Sequence, residues 1–265
     1  MTTPEARYRT KELPGVPGWM DPEDAALFSG VCAAQTRSGL RGDLLEIGVY
    51  LGKSAILLGY SLQPNERLLV CDVFEAPTGD AANLQENQSY YAGLARSSFE
   101  SNYLRYHPAL PEIFEGPSTD LGSIVSTPRF RFVHIDGSHL YDVVRADLAL
   151  SREVSIPGAI VVLDDIAAAH TPGVTAAAWE AVANDGLAPL VMTQNKMYAS
   201  WIPAAALSRD LLQEAIHSAG LPMTEHKYKH SSILRVGTLD MRSPTHKFAS
   251  RLKRGVVAVA GSRRR

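Results

Sequence analysis

The chain has 265 residues, of which 45% are apolar and 20% charged, and its formal net charge is −2. This length suits one large α/β domain or two small ones, and the composition is that of an ordinary soluble protein. The two cysteines give no disulfide framework and no metal-ligand spacing, no apolar run approaches the length of a membrane span, and the N-terminus lacks a signal-peptide core. We therefore expect a cytoplasmic protein without a membrane span.

Residues 1–39 are predicted to form a loop and a helix that precede the main domain. The loop is the Pro- and Gly-rich stretch of residues 14–19, and the helix begins with Asp21 as its N-cap and Pro22 in its first turn. Two interpretations of the loop stay open, a cover over the site or a plain connector.

The first predicted strand, Leu44–Gly48, runs into a turn that contains glycine. The Gly-Lys-Ser that follows resembles the end of a nucleotide-triphosphate loop, but that loop requires glycine at the position of Ile47. The dinucleotide-binding pattern fails as well, because its additional glycine is missing. What remains is an acidic residue followed by two glycines, Glu46-x-Gly48-x-x-x-Gly52.

The carboxylate of Glu46 indicates which kind of ligand this turn would accept. A carboxylate repels a bound phosphate but suits a cation, such as the methionyl amine of S-adenosylmethionine. A glycine-containing turn from strand to helix lets such a ligand lie against bare backbone. The alternative is an ordinary tight turn between strand and helix that binds no ligand.

Short apolar runs alternate with helical stretches along the rest of the chain. Several runs are continuous in Val, Ile and Leu, as in strands that are buried on both faces, and the alternation predicts a doubly wound, mostly parallel sheet. The predicted strands are Leu44–Gly48, Arg67–Val73, Glu112–Glu115, Phe130–Asp136, Ala159–Leu163, Pro189–Met192 and Lys196–Ile202, with Lys227–Val236 as a further strand or a terminal hairpin. The predicted helices are Gly52–Ser61, Gly93–Tyr106, Ser118–Val125, Leu140–Arg152, Val174–Asn184 and Ala206–Ala219.

Polar residues follow each of the first five predicted strands. Ligands of open α/β sheets bind beyond the carboxyl ends of the strands, so these side chains are expected at one edge. Asp72 is placed to accept hydrogen bonds from two ribose hydroxyls. A single acid at a strand end commonly caps the next helix, but recurrence on neighbouring strands favours a site. The side chains are Glu46, Asp72, the stretch EGPSTDL, Asp136 with His139, and Asp164 with Asp165.

The adjacent carboxylates Asp164 and Asp165 repel each other unless a cation lies between them or one of them is protonated. Asp136 supplies a third carboxylate from the neighbouring strand end. Carboxylate oxygens are the ligands that Mg²⁺ prefers in proteins. The three residues therefore predict a magnesium site.

Two histidines lie near these carboxylates in the sequence. His139 follows Asp136 by three residues, and a free histidine pKa of about 6.5 suits a general base near neutral pH. The alternative is an N-capping or merely exposed histidine. His134 lies within a predicted strand and is interpreted as a core histidine with its hydrogen bonds satisfied.

Together these residues resemble the class I S-adenosylmethionine-dependent methyltransferases. The stretch FVHIDGSHLYDVVRADLALSREVSIPGAIVVLDDI is similar to the metal-dependent sugar O-methyltransferases related to the macrocin and mycinamicin enzymes, and the resemblance spans roughly residues 40–200. It implies a seven-stranded, Rossmann-like sheet, mostly parallel with an antiparallel last strand and helices on both faces. It places the methionyl end of the donor at Glu46, Gly48, Tyr50 and Ser54, the ribose at Asp72, the adenine at Ser118, the metal at Asp136, Asp164 and Asp165, and catalysis at His139 and Asp136.

The function that follows is S-adenosylmethionine- and Mg²⁺-dependent O-methylation of a sugar or glycoside, with a chelated diol deprotonated by His139. Side-chain amides and tyrosines within residues 83–102 favour a sugar over a flat apolar ring. The alternatives are a catechol or phenol O-methyltransferase and a methyltransferase-like binding module. The amides are Asn83, Gln85, Asn87, Gln88 and Asn102, and the tyrosines include Tyr90 and Tyr91.

The methyltransferase domain is predicted over residues 40–238, followed by a basic tail of residues 239–265. Eight Lys and Arg residues and no acid lie within residues 241–265, so the rest of the chain has 18 basic and 28 acidic residues. Such a tail can bind nucleic acid or anionic lipid, but a solvated terminus is favoured. We expect a small-molecule partner and no nucleic acid, and whether the chain forms a homo-oligomer stays open.

Overall fold

The computed structural model describes residues 2–75, 94–125, 127–202, 207, 209–228 and 231–237. The strands are β1 Asp43–Ile47, β2 Leu68–Asp72, β3 Glu112–Glu115, β4 Phe130–Ile135, β5 Ser155–Leu163, β6 Ala188–Met192, β7 Met197–Ser200, β8 Met223–Tyr228 and β9 Ser231–Val236. The helices are α1 Pro22–Arg37, α2 Lys53–Ser61, α3 Arg96–Leu104, α4 Tyr141–Val154, α5 Pro172–Glu180 and α6 Arg209–Ser218. Shorter helical segments are Pro4–Arg7, Tyr8–Glu12, Leu13–Gly15, Ser118–Ser123 and Ala181–Asp185.

The described strands form one sheet in the order β3-β2-β1-β4-β5-β7-β6-β9-β8. Strands β1 to β5 pair in parallel, whereas β7 runs antiparallel to both of its neighbours, β5 and β6. The predicted Rossmann-like, mostly parallel sheet is therefore confirmed. The predicted number of seven strands is wrong, because the described sheet has nine strands, and the antiparallel strand β7 is not the last in the chain.

The two additional strands form a hairpin at the edge of the sheet. β8 pairs antiparallel with β9, and β9 pairs in parallel with β6, with Val191 opposite Leu234. This pairing covers the backbone of β6, which would otherwise be an unpaired edge. The sequence predicted a strand or hairpin only from Lys227 onward, because the preceding residues of β8 are mostly polar and exposed.

Two hydrophobic cores cover the two faces of the sheet. Along β1, Leu44 packs into one core and Leu45 into the other, because successive side chains of a strand point to opposite faces. Residues of α1, α2, α3 and α6 lie in the first core, and residues of α4 and α5 lie in the second. With both faces covered, the carboxyl ends of the parallel strands remain as the edge where polar side chains are accessible.

The segment before α1 is held beside the first turn between strand and helix. The Tyr8 hydroxyl donates to the carbonyl oxygen of Lys53 at 2.7 Å, and Nζ of Lys53 donates to the carbonyl oxygen of Gly18 at 2.7 Å. Asp21 takes the predicted N-cap position of α1, but among the described residues its carboxylate makes no capping hydrogen bond. It accepts a hydrogen bond from Nδ2 of Asn195 at 3.3 Å instead.

The predicted domain boundaries at residues 40 and 238 remain predictions, and the basic tail lies outside the described residues. Within the part of the chain that is described, no helix is both long and apolar enough to cross a membrane.

Candidate active site

A cavity of about 720 Å³ opens at the carboxyl ends of β1, β2, β4 and β5. Ligands of open α/β sheets bind at this location. Every predicted site residue except Glu46 lines the cavity. The residues predicted to bind S-adenosylmethionine and those predicted to bind the metal therefore face the same cavity. The lining residues from that prediction are Gly48, Tyr50, Ser54, Asp72, Ser118, Asp136, His139, Asp164 and Asp165.

The two glycines after β1 are explained by close backbone packing. Gly48 has a φ of +82°, and a Cβ on it would lie 2.0 Å from the carbonyl oxygen of Asp136. Gly52 is the N-cap of α2 with a φ of +90°, and its Cβ would lie 3.0 Å from the ring of Phe99. Glycine at position 48 therefore lets β1 end directly against the end of β4, which brings the two halves of the site together.

The carboxylate of Asp72 organises the turn after β1. Its Oδ2 accepts hydrogen bonds from the backbone N–H groups of Val49 at 2.8 Å and Tyr50 at 3.0 Å, and its Oδ1 accepts one from Phe74 at 2.9 Å. Burial raises the pKa of Asp72, although these three N–H groups act in the opposite direction. Asp72 thus presents a fixed acceptor at the cavity wall, as the assignment to a ribose requires.

Replacing Asp72 with alanine is expected to weaken binding of S-adenosylmethionine about 10- to 100-fold, because hydrogen bonds from the donor to a charged group are lost. Titration calorimetry measures this change. Asp72→Asn keeps one acceptor oxygen and should lose less, which separates the ligand contact from loosening of the turn. An unchanged dissociation constant in both variants would move the ribose to another part of the cavity.

Glu46 lies beneath the cavity and not on its wall. It is fully buried and pairs with His134, whose Nδ1 is 2.8 Å from Oε1 of Glu46. Burial raises the pKa of Glu46 to about 8 and lowers the pKa of His134 to about 3, so near neutral pH an uncharged pair is favoured. Ser54, which lines the cavity, hydrogen-bonds to Glu46 and connects it to the donor side. His134 is therefore a core histidine as predicted, but the prediction that its hydrogen bonds are satisfied is wrong, because Nδ1 is paired and Nε2 has no hydrogen-bond partner among the described residues.

The adjacent carboxylates at the end of β5 pair with different side chains. Oδ1 of Asp164 accepts the backbone N–H of Asp165 at 2.8 Å, and its Oδ2 pairs with the ammonium group of Lys196. Asp165 has a φ of +54°, and its Oδ2 lies 3.3 Å from Nε2 of His139. The hydrogen bond from His139 is the main cause that lowers the pKa of Asp165. The repulsion expected between the two carboxylates is thus relieved by Lys196 and His139.

The side chains whose possible metal-ligand atoms lie closest together are not the three residues that the sequence predicted as metal ligands. One atom each of His134, Asp136 and Asp164 lies within 4.8 Å of the others, whereas Asp165 is turned toward His139. Nε2 of His134 is buried and has no hydrogen-bond partner among the described residues. Burial, followed by the charge of Asp164, raises the pKa of Asp136. Two carboxylates and an imidazole nitrogen fit a divalent cation.

Sequence reasoning missed Lys196. Its side chain is only 2% exposed and its ammonium pairs with Asp164. Burial alone would lower the pKa of Lys196. The negative charges of Asp164, Asp136 and Asp24 have the larger combined effect and raise this pKa to about 12. Asp24 of α1 was missed as well. It lines the cavity, and burial raises its pKa to about 6.

The loop before α1 forms part of the cavity wall. Trp19 lines the cavity and is 73% exposed, with its ring centroid 5.3 Å from that of Tyr50. Asp21 and its partner Asn195 line the cavity too. An aromatic ring and polar groups therefore border the space beside the carboxylates.

Most of the amide-rich stretch lies outside the described residues, since four of its five amides and both of its tyrosines fall within residues 76–93. The exception is Asn102, whose amide donates to the carbonyl oxygen of Leu51 at 3.0 Å. Asn102 thus supports the start of α2, and the stretch as a sugar-binding surface remains a prediction.

Comparison with known families finds a match for the central part of the chain. Residues 45–166 match a family model described as "Methyltransferase domain". These residues are therefore similar to a methyltransferase domain. The matched residues run from β1 to the turn after β5 and contain most of the cavity wall. None of the curated proteins matches the chain.

Solved structures resemble this chain in fold. The O-methyltransferase NovP matches with a TM-score of 0.52 and 17% identity, over 68% of this chain and 79% of NovP. Cofactor-bound Rv0187 from MTB matches with a TM-score of 0.51 and 16% identity, over 74% of this chain and 89% of that protein. A Corynebacterium glutamicum protein matches with a TM-score of 0.50 and 17% identity, over 77% of this chain and 90% of its own. The chain therefore has a fold found in O-methyltransferases.

Proposed function

We propose that this protein transfers the methyl group of S-adenosylmethionine to a hydroxyl of a sugar or glycoside, with Mg²⁺ as cofactor and His139 as base. The observation that carries the proposal is the His139–Asp165 pair, which lies in the same cavity as Asp72 and beside Asp136 and Asp164. An alcohol is a poor nucleophile at neutral pH, so O-methylation needs a positioned base more than it needs activation of the sulfonium donor.

The donor is proposed to bind across the first two strand ends. Asp72, oriented by three backbone N–H groups, accepts from the ribose hydroxyls, and Ser118 borders the adenine. Gly48, Tyr50 and Ser54 border the methionyl end. Glu46 acts from beneath this surface, and a cationic donor favours its ionised form over the protonated form that burial favours.

The metal is proposed to be held by Asp136, Asp164 and Asp165. When bound, Mg²⁺ lowers the pKa of a coordinated hydroxyl, as it does for water. The half-buried carboxylates of Asp136 and Asp164 lie near Nε2 of His134, which has no partner among the described residues, so a cation here would compensate groups that burial penalises. Two neighbouring hydroxyls of the acceptor would be oriented at this cluster, which selects the one that faces the methyl group.

His139 is proposed to take the proton of the acceptor hydroxyl. Asp165 lies 3.3 Å from Nε2 of His139 and accepts the hydrogen bond from that nitrogen, which leaves the lone pair of the neutral ring on Nδ1. The carboxylate also stabilises the imidazolium that forms when Nδ1 takes the proton, as in other carboxylate–histidine pairs. Trp19 and the polar pair Asp21 and Asn195 are proposed to contact the acceptor, since a sugar offers both apolar C–H faces and hydroxyls.

The acceptor class is tested by following transfer of a labelled methyl group from S-adenosylmethionine to matched compounds, in Mg²⁺ and in EDTA. The panel contains sugars and glycosides with vicinal diols, the same compounds with one hydroxyl removed, and catechols. We expect EDTA-sensitive transfer to a sugar diol and little transfer to its deoxy analogue. A preference for catechols would support the phenolic alternative, and transfer that resists EDTA would contradict the role of the metal.

A further inference from the structure

Lys196 lies on the inner side of the carboxylate cluster. Its ammonium pairs with Asp164 and lies 5.9 Å from the centroid of the Phe28 ring. Asp24 and Asp136 are also close enough to interact with its charge. One buried cation is thus surrounded by carboxylates from α1, from the end of β4 and from the end of β5.

We infer that Lys196 is the resident counter-cation of this cluster and competes with a divalent metal for Asp164, an inference that rests on the metal site of the proposed function. Oδ1 of Asp164 is engaged by the backbone N–H of Asp165, and Oδ2 is engaged by Lys196. A metal that binds Oδ2 therefore has to displace the ammonium or tolerate a positive charge at close range.

The surroundings of Oδ2 of Asp164 support a shared position for the two cations. Nε2 of His134 lies 4.0 Å from this oxygen, is buried, and has no hydrogen-bond partner in the described part of the chain. When the ring proton lies on Nδ1, toward Glu46, the lone pair of Nε2 is suited to a metal ion, whereas the lysine ammonium already pairs with the carboxylate beside it. Oδ2 of Asp164 thus lies between Nε2 of His134, a possible metal ligand, and the ammonium group of Lys196.

Competition has two consequences for the enzyme. Without metal, Lys196 supplies the positive partner of Asp164 and Asp136, so folding does not require the ion. With metal, part of the binding free energy is used to displace the ammonium, so the affinity of the wild-type protein is lower than its donor atoms alone would provide.

The experiment compares Mn²⁺ binding to the full-length wild-type protein and to Lys196→Met by calorimetry and by electron paramagnetic resonance. Methionine keeps an unbranched side chain against Phe28 and removes the charge. We expect Mn²⁺ to bind Lys196→Met at least about tenfold more tightly, because one positive charge near the ion is removed. Lys53→Met is the matched control, since Lys53 also lines the cavity but donates to a carbonyl oxygen and should leave Mn²⁺ affinity unchanged.

Thermal unfolding gives a second readout that needs no acceptor. In EDTA, Lys196→Met should melt at a lower temperature than the wild type, and Mn²⁺ should raise its melting temperature more than it raises that of the wild type. Because Lys196→Met risks misfolding without metal, the double variant Lys196→Met with Asp24→Asn is measured in parallel. It removes one carboxylate together with the lysine and should also bind Mn²⁺ more tightly than the wild type.

Mn²⁺ binding that is equal or weaker in both Lys196 variants would overturn the competition. If transfer by the wild type resists EDTA while the variants bind Mn²⁺ more tightly, the competition holds and the metal part of the proposed function fails. If transfer depends on metal while all affinities are equal, the proposed function stands and the competition is wrong.

Discussion

Replacing Asp165 with alanine is expected to lower kcat for methyl transfer about 10³-fold or more, because the carboxylate partner of the base and a proposed metal ligand are lost together. Affinity for S-adenosylmethionine should change less than about twofold, since Asp72 and the turn after β1 are untouched. Steady-state kinetics with the acceptor found in the transfer screen, combined with calorimetric titration of the donor, separates the two quantities.

Backbone strain is the main complication of this variant, because Asp165 has a φ of +54° and alanine tolerates that conformation poorly. Asp165→Asn tolerates it and removes only the charge, so a loss shared by both variants belongs to the carboxylate. Asp142→Ala is the control, since Asp142 is an exposed acidic residue in the first turn of α4. Full activity of Asp165→Ala, insensitive to EDTA, would refute both roles of Asp165.

Replacing His139 with alanine is expected to lower kcat about 10²- to 10⁴-fold with an unchanged dissociation constant for S-adenosylmethionine, the range for loss of a general base. The physical reason is that the acceptor proton then has no positioned recipient next to Asp165. The rate is measured under saturating donor and acceptor, so that a change in binding does not mimic a change in turnover.

Two further measurements distinguish a base from a structural histidine. Added imidazole should restore part of the activity of His139→Ala, which a packing defect would not allow. His217→Ala, at an exposed position in the last turn of α6, should retain wild-type kcat. If His139→Ala turns over at the wild-type rate at neutral pH, another group removes the proton.

The strand ends that build the cavity were predictable because their signal is local. The parallel strands β1, β2, β4 and β5 are mostly buried and apolar, and a polar residue directly after such a run comes out at the carboxyl edge. Asp72, Asp136 and the pair Asp164 and Asp165 all reach the cavity for this reason. Gly48 was predictable as a turn residue, but its contact with the backbone of Asp136 depends on the neighbouring strand.

Lys196 could not be recognised from the sequence, because its role depends on the pairing of distant strands. β7 runs antiparallel to β5 with Met197 opposite Leu163, so the residue before Met197 meets the residue after Leu163. That register places Lys196 beside Asp164. The prediction already had an antiparallel strand at this point, but the register that aligns its start with the end of β5 is seen only in the structure.

The positions of Glu46 and of β8 show two other limits. An acidic residue in a glycine-containing turn suggests direct contact with a ligand, yet Glu46 is buried against His134 and is connected to the cavity through Ser54. Strand β8 is mostly polar and exposed, so it has no alternating apolar pattern and forms a strand because β9 pairs with it.

Calorimetric titration of S-adenosylmethionine into the wild-type protein, once in EDTA and once in Mg²⁺, tests most directly whether this cavity is a donor site separate from the carboxylate cluster. We expect one molecule to bind per chain, with dissociation constants that differ by less than about threefold between the two conditions. The reason is that the Asp72 carboxylate accepts hydrogen bonds from the backbone N–H groups of Val49, Tyr50 and Phe74, away from the carboxylate cluster. No heat of binding in either condition would contradict the assignment of the cavity, and binding only with Mg²⁺ would contradict the separation of the two sites.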